Sequence, residues 1–340
     1  GRLGRLPRLA LAGELRMMQM LYLSGAGIYE GKLKEVNNTY RARIFGSIPG
    51  VTTAYPAEPI DVRPLAAAKP DVVFISDPWH NFWDPCDTYP DCPSLYEGIE
   101  DLADAGIAIV IESGDSQFYY EETLRLLSHI PRSGVAIRSE THRFRFESRN
   151  RPIFYLPHGT YKEMQHLPLE KNHDVLFSGS EHPDSYPVRA RIATALRSTE
   201  NNFNVDWLPH PSDSPHDVIG LHFWNRASFS RLGVAGTNAY KCLTMRYLEL
   251  PAAGALAIGD VPSEAPCLEE HLVVVRDGMG PFEIRDAISD ALHDPNYFER
   301  VRKAQEHVYA HHSFKDHAMR VCKEIEKELL ASKKEIAEIL

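Results

Sequence analysis

Three groups of residues in the chain have types and spacings suited to chemistry on a ligand that carries both hydroxyls and negative charge. The first lies between Gly236 and Asp260. Gly236, Thr237 and Asn238 form a polar loop, a helical stretch over about 240–250 carries Lys241, Arg246 and Glu249, and a Pro251-Ala252-Ala253-Gly254 turn leads into an apolar strand. One carboxylate can accept hydrogen bonds from both hydroxyls of a ribose, and the apolar neighbours Leu248, Leu250 and Pro251 favour a buried Glu249 over a solvent-facing one. Arg246, three residues earlier, shares its helical face and is a candidate phosphate-binding cation equal to Arg189. The second group is Gly179, Ser180 and Arg189. Backbone N–H groups from the first two and a guanidinium from the third are the donors a diphosphate needs as charge builds on it. The third is Asp77, His80 and Asp115, acid–base groups that follow apolar runs and could take a proton from a hydroxyl. Each group also has a plainer reading: a surface Arg189, helix N-caps at Asp77 and Asp115, a packed or exposed ring at His80. Trp79, Phe82 and Trp83 suit stacking on a sugar face, or anchor their own loop against the core.

The elements that must position these groups are visible as apolar runs. Met17 to Leu23, Asp71 to Ser76, Gly106 to Ile111, Val135 to Arg138 and Ile153 to Leu156 read as strands, with helices at Lys32 to Ile44, Leu95 to Ala105 and Tyr119 to His129. After residues 157–173, which lack strong periodicity, the pattern restarts. Strands are expected at Asp174 to Ser178, Asn204 to Leu208, near Leu232 to Ala235, Gly254 to Ile258 and Leu272 to Val275. Helices are expected at Pro187 to Leu196, Pro281 to Leu292, Tyr297 to Tyr309 and 314–340, the last with Val321, Ile325, Leu329 and Ile336 along one stripe. Apolar, non-alternating strands between helices predict parallel sheets covered on both faces. In such sheets ligands bind outside the carboxyl ends of the strands, where all three groups fall. The expected division is 1–160, 161–315 and a terminal helix 316–340 that either packs back on the first domain or meets a partner.

The chain has 340 residues, a formal net charge of -10, 43% hydrophobic and 25% charged residues. These values fit two globular domains and argue against nucleic acid as a partner. The Arg-rich segment Gly1 to Leu15 has no apolar run near the roughly 20 residues that span a bilayer. It also lacks a signal-peptide core, so neither a transmembrane segment nor a signal peptide is expected. The five cysteines, Cys86, Cys92, Cys242, Cys267 and Cys322, are an odd number without Cys-x-x-Cys spacing. Free thiols in a cytoplasmic protein are expected, a Cys86–Cys92 pair being the alternative, and no metal site is expected. Residues 26–33 miss a phosphate loop, since Ala26 and Leu33 stand where that motif has Gly and Ser/Thr, and no Gly-x-Gly-x-x-Gly follows an opening strand, which disfavours a nicotinamide dehydrogenase.

Three signatures in the second half resemble the GT-B glycosyltransferases, in particular relatives of the spore-maturation protein CgeB and the group 1 enzymes. Tyr155-Leu156-Pro157-His158-Gly159 looks like their interdomain segment. Asp174 to Ser180, followed by Tyr186 and Arg189, looks like the opening strand and loop of their donor domain. Arg246-Tyr247-Leu248-Glu249 through Gly254-Ala255 looks like their R-x-F-E-x-x-A-x-G-A helix and turn. Asp277-Gly278, Ile288, Leu292, Asp294-Pro295 and His311-His312-Ser313-Phe314 follow their closing pattern. The likeness spans about residues 150–320; the first half matches only in layout, with Asp115 in the place of the family's Asp. It implies two Rossmann-like domains facing a cleft and transfer of a hexosyl or pentosyl group from a UDP- or GDP-type nucleotide sugar to a glycan, protein or small-molecule acceptor. No other cofactor is implied. Lys241 departs from the group 1 pattern, which has a second Glu eight positions before the ribose Glu. No Asp-x-Asp motif occurs, so a metal-independent reaction is expected, retaining or inverting. A nucleotide-sugar 2-epimerase of the same frame and a non-catalytic sugar-binding protein are the alternatives.

Overall fold

Strands that must be buried on both faces need helices above and below them, and the chain supplies these in alternation. The structure, a computed structural model, describes residues 17–330 apart from 25–27, 30–31, 34–36, 55–67, 77–94, 114–115, 129, 148–150, 166–169, 199–201 and 209–219. The strands of the first half are β1 (Met20–Ser24), a short hairpin of β2 (Ile28–Tyr29) and β3 (Lys32–Leu33), β4 (Val51–Ala54), β5 (Val72–Ser76), β6 (Ala108–Ser113), β7 (Ser133–Ile137) and β8 (Ile153–Tyr155). Six of them form one sheet in the order β4-β1-β5-β6-β7-β8, every pair parallel. The second half forms a five-stranded sheet from β9 (His173–Phe177), β10 (Val205–Trp207), β11 (Ser230–Val234), β12 (Leu256–Gly259) and β13 (Leu272–Val274), in the order β10-β9-β11-β12-β13 and again all parallel.

Side-chain alternation along a strand divides each core in two. Leu21 and Leu23 face one side of the first sheet with Val73, Ile75, Ile109 and Ile111. Met20 and Tyr22 face the other, in a larger core that continues through Phe45, Tyr161, Trp224, Tyr247 and Phe314. This core joins the two sheets. Phe45 stacks on Tyr22 with ring centroids 4.1 Å apart and meets Phe314 edge-on at 5.9 Å. The helix Phe314–Ile325, which follows the second sheet in sequence, packs on the helix Asn37–Gly46, and Arg320 donates to the Tyr155 carbonyl at 2.9 Å.

Four expectations need correction. The stretch Lys32 to Ile44 is not one helix: β2 and β3 pair antiparallel before the helix Asn37–Gly46 begins. Strand β4 was not foreseen, because Val-Thr-Thr-Ala lacks the apolar density of its neighbours. The helix expected over 240–250 starts only at Arg246. Lys241 is left-handed (φ +58°), and the Asn238 side-chain oxygen accepts from the backbone N–H groups of Tyr240 and Cys242, which holds residues 238–242 in a turn. Within the described residues the terminal helix is α-helical from Phe314 to Ile325 and then widens into a π-turn, Glu326–Leu330; residues 331–340, Ile336 among them, lie outside the described residues.

Candidate functional site

In an open parallel sheet the crevice for a ligand lies where successive connections leave in opposite directions. In the second sheet that point is between β9 and β11, since the chain moves from β9 outward to β10 and then returns to the other side. Gly179 follows β9, Gly236 and Thr237 follow β11, and Asp260 follows β12. All sit at carboxyl ends.

Arg189 lies beneath this crevice. It belongs to the helix Pro187–Arg197, is buried, and donates from Nη2 to the Gly236 carbonyl at 3.3 Å. Its guanidinium covers the Tyr186 ring at 4.1 Å, and its Nε is buried without a hydrogen-bond partner. Burial pulls its pKa down to about 10, so it keeps its charge at neutral pH. Two glycines make room for it. A Cβ on Gly179, whose φ is +91°, would come 3.0 Å from Nη1, and one on Gly236 would come 2.7 Å from Cγ. Ser180 Oγ accepts from the His182 N–H at 3.2 Å.

Asp260 organises the loop on the other side. Its Oδ1 accepts from the Thr237 N–H at 3.0 Å and the Tyr247 hydroxyl at 2.9 Å, while Oδ2 accepts from Thr237 Oγ1 at 2.5 Å and Lys241 Nζ at 3.0 Å. Burial alone would raise its pKa, but the hydrogen bonds from Thr237, Lys241 and Tyr247 together hold it below the usual carboxylate value. Lys241 therefore has an acidic partner where the resemblance would place an acid. Thr237 is fully buried, whereas Asn238 is spent on its turn.

Glu249 is buried in the first turn of the helix Arg246–Ala252. Oε1 accepts from Trp224 Nε1 at 2.9 Å and Oε2 from Arg246 Nη1 at 2.6 Å. Arg246 in turn lies on the Phe223 ring, 3.5 Å from its centroid. Each carboxylate oxygen keeps a further lone-pair direction for a ligand hydroxyl.

The carboxyl ends of the first sheet meet this region directly. After β7, Ser139 donates to Glu264, Thr141 Oγ1 is 3.1 Å from Cys242 Sγ, and His142 Nε2 is 3.6 Å from the same sulfur. Tyr40 packs on Trp224 with centroids 5.0 Å apart. Behind these contacts lies a constellation that sequence reading did not single out. Glu112, near the end of β6, is fully buried and accepts from Arg41, from Arg138 Nε at 2.9 Å and from Ser76 Oγ at 2.8 Å. Burial opposes its ionisation, yet the two guanidinium groups outweigh it and lower its pKa to about 2. The one local clue was a carboxylate inside an otherwise apolar strand. Asp77, His80 and Asp115, with Trp79, Phe82, Trp83, Cys86 and Cys92, lie outside the described residues. Cys242 and Cys322 are buried free thiols and Cys267 is an exposed one.

Comparison with solved structures gives matches along nearly the whole chain. HepE from Anabaena, solved with UDP and glucose, superposes with a TM-score of 0.58 at 11% identity, covering 91% of this chain and 99% of its own. The avilamycin glycosyltransferase AviGT4 gives 0.53 at 12% identity over 92% and 98%. A BGT mutant of phage T4, in complex with UDP-glucose, gives 0.53 at 11% over 92% and 100%. The fold is GT-B. No protein-family model matches the chain, and no curated protein sequence does. Among the described residues no helix is long and apolar enough to cross a membrane.

Proposed function

We propose that the chain is a glycosyltransferase that moves a sugar from a UDP- or GDP-type nucleotide sugar to an acceptor hydroxyl, without a metal at the donor diphosphate. The observation that carries this reading is Arg189. It is a buried cation with an unpartnered Nε, set below a left-handed glycine at the crevice of the second sheet. A diphosphate laid across Gly179, Ser180 and Gly236 would receive backbone N–H groups and this guanidinium together, and the added charge of the leaving group would strengthen both. Lys241 would add a second, more exposed cation. Glu249, kept in place by Arg246 and Trp224, would accept the ribose hydroxyls. The first sheet then supplies the acceptor side, with the expected boundary near residue 160, and Asp77, His80 or Asp115 would take or orient the acceptor proton. The HepE structures with UDP and with UDP-glucose favour a uridine donor over a guanosine one.

Calorimetry against UDP, GDP and ADP tests the reading. Binding of one diphosphate is expected, weakened by about 1–3 kcal/mol in Glu249→Ala, the scale of a hydrogen bond to a charged group. A protein that binds none of them, or a Glu249→Ala variant that binds as tightly as the parent, would overturn the assignment.

A further inference from the structure

Away from the cleft, the 3-10 helix Pro266–His271 lies against the helix Tyr297–His311. Ligand atoms of Cys267, His307 and His312 all fall within 4.8 Å of one another. The His271 ring stands 4.3 Å from that of His307, and the His311 ring 4.7 Å from it, centroid to centroid. The Nε2 atoms of His307 and His312 are both buried and without a hydrogen-bond partner. Buried polar atoms are nearly always paired, so two unpaired imidazole nitrogens beside a thiol make a donor set ready for one shared acceptor of their lone pairs. None of these side chains takes part in the donor crevice.

We propose that Cys267, His307 and His312 bind a zinc-class divalent ion, with His271 or a water completing a tetrahedron. A thiolate with two imidazoles selects borderline-soft transition metals over magnesium and calcium, which take oxygen ligands. Bond lengths of roughly 2.3 Å to sulfur and 2.0–2.1 Å to nitrogen put donors of a tetrahedral site about 3.3–3.8 Å apart. The donor atoms, which lie within 4.8 Å of one another, must therefore draw together by up to about 1–1.5 Å. Cys267 is exposed. The ligands come from the connection between β12 and β13 and from the end of the helix Tyr297–His311. The ion would thus clamp the second sheet to the crossover at His312 and Ser313 that launches the helix Phe314–Ile325. This is a structural role, separate from transfer chemistry. Sequence reading expected no metal site; His307 and His312 stand five residues apart in the chain, but Cys267 comes from a segment 40 positions before His307, and only the fold brings it beside them.

The test uses the full reduced chain, stripped with a chelator and titrated with Zn2+ in competition with a chromogenic chelator, and separately with Co2+ as a spectroscopic probe. One Zn2+ per chain is expected, with a thiolate-to-cobalt charge-transfer band and tetrahedral d–d bands for Co2+. Cys267→Ser should remove the charge-transfer band and weaken Zn2+ by at least ~10-fold, and His312→Ala should weaken it to a similar degree. His293→Ala, a histidine outside the cluster, should change neither. Because Cys267 is exposed, its serine variant is expected to fold, and circular dichroism checks this. Absence of stoichiometric Zn2+ binding by the parent chain, or a charge-transfer band that survives Cys267→Ser, or unchanged affinity in the His307→Ala/His312→Ala double variant, each overturns the proposal.

Discussion

The Arg189 guanidinium stands where a side chain on Gly179 would have to go: an added Cβ would lie 3.0 Å from Nη1, on a backbone whose φ is +91°. Gly179→Ala therefore meets two penalties, left-handed strain worth about 1 kcal/mol and displacement of a buried cation. Gly236→Ala meets only the second, with its Cβ 2.7 Å from Arg189 Cγ and no positive φ. Both variants are expected to lose nucleoside-diphosphate affinity roughly tenfold, about 1.4 kcal/mol, while thermal unfolding separates them, Gly179→Ala being the less stable. Wild-type affinity in both would dissociate Arg189 from the ligand.

Lys241 bonds to Asp260 at 3.0 Å yet is partly exposed. Asp260 keeps its Thr237 and Tyr247 hydrogen bonds without it, so Lys241→Ala should cost less than about 1 kcal/mol of stability. If Lys241 also faces the diphosphate, the variant binds nucleotide several-fold more weakly at low salt, and the difference shrinks as ionic strength rises. Binding curves at two salt concentrations decide this; superimposable curves for parent and variant would leave Lys241 as a counter-ion of Asp260 and Asp277 only.

Glu112 makes acid stability a measurable property of the first sheet. Its folded pKa, about 2, lies below the ordinary value of 4.5, so the folded state binds this proton less readily than the unfolded chain. The stabilisation is complete above the unfolded pKa and is lost as pH falls from about 4.5 toward 2; the shift corresponds to about 3 kcal/mol. Glu112→Gln should lower the melting temperature at pH 7 and flatten its decline on acidification, since two arginines are left short of a counter-charge. A variant whose melting temperature tracks the parent's through this range would show that the pair is not coupled to folding.

Gly159 has a packing reason for its identity. A Cβ there would sit 2.6 Å from both the backbone N and Cα of Phe314, where Thr160 N–H donates to the His312 carbonyl and Phe314 N–H to the Thr160 carbonyl. Backbone cannot rotate aside, so Gly159→Ala should push the helix Phe314–Ile325 away from the first sheet and cost about 1–3 kcal/mol. Chemical denaturation measures it. Unchanged stability would mean that the crossover adjusts freely.

The residues that local chemistry singles out are those whose partners are close in sequence or whose surroundings are uniformly apolar. The strands β5, β6, β9, β11 and β12 were legible from their apolar residues, and from them followed two parallel sheets and the placing of Gly179 and Gly236 after carboxyl ends. Arg246 and Glu249 pair within one helical turn, a spacing visible in the chain itself. Other relationships have no local trace. Glu112 meets Arg41 across 71 residues, Arg189 meets Gly236 across 47, and Trp224 reaches Glu249 across 25. Asp260 closes the stretch first noticed for Glu249, yet its four hydrogen bonds exist only because β11 and β12 lie side by side and the helix Arg246–Ala252 folds back over them. Hydrophobic periodicity is a property of neighbours in the chain and specifies elements. Which polar groups share a buried space is decided by the packing of those elements, and only the tertiary structure contains it.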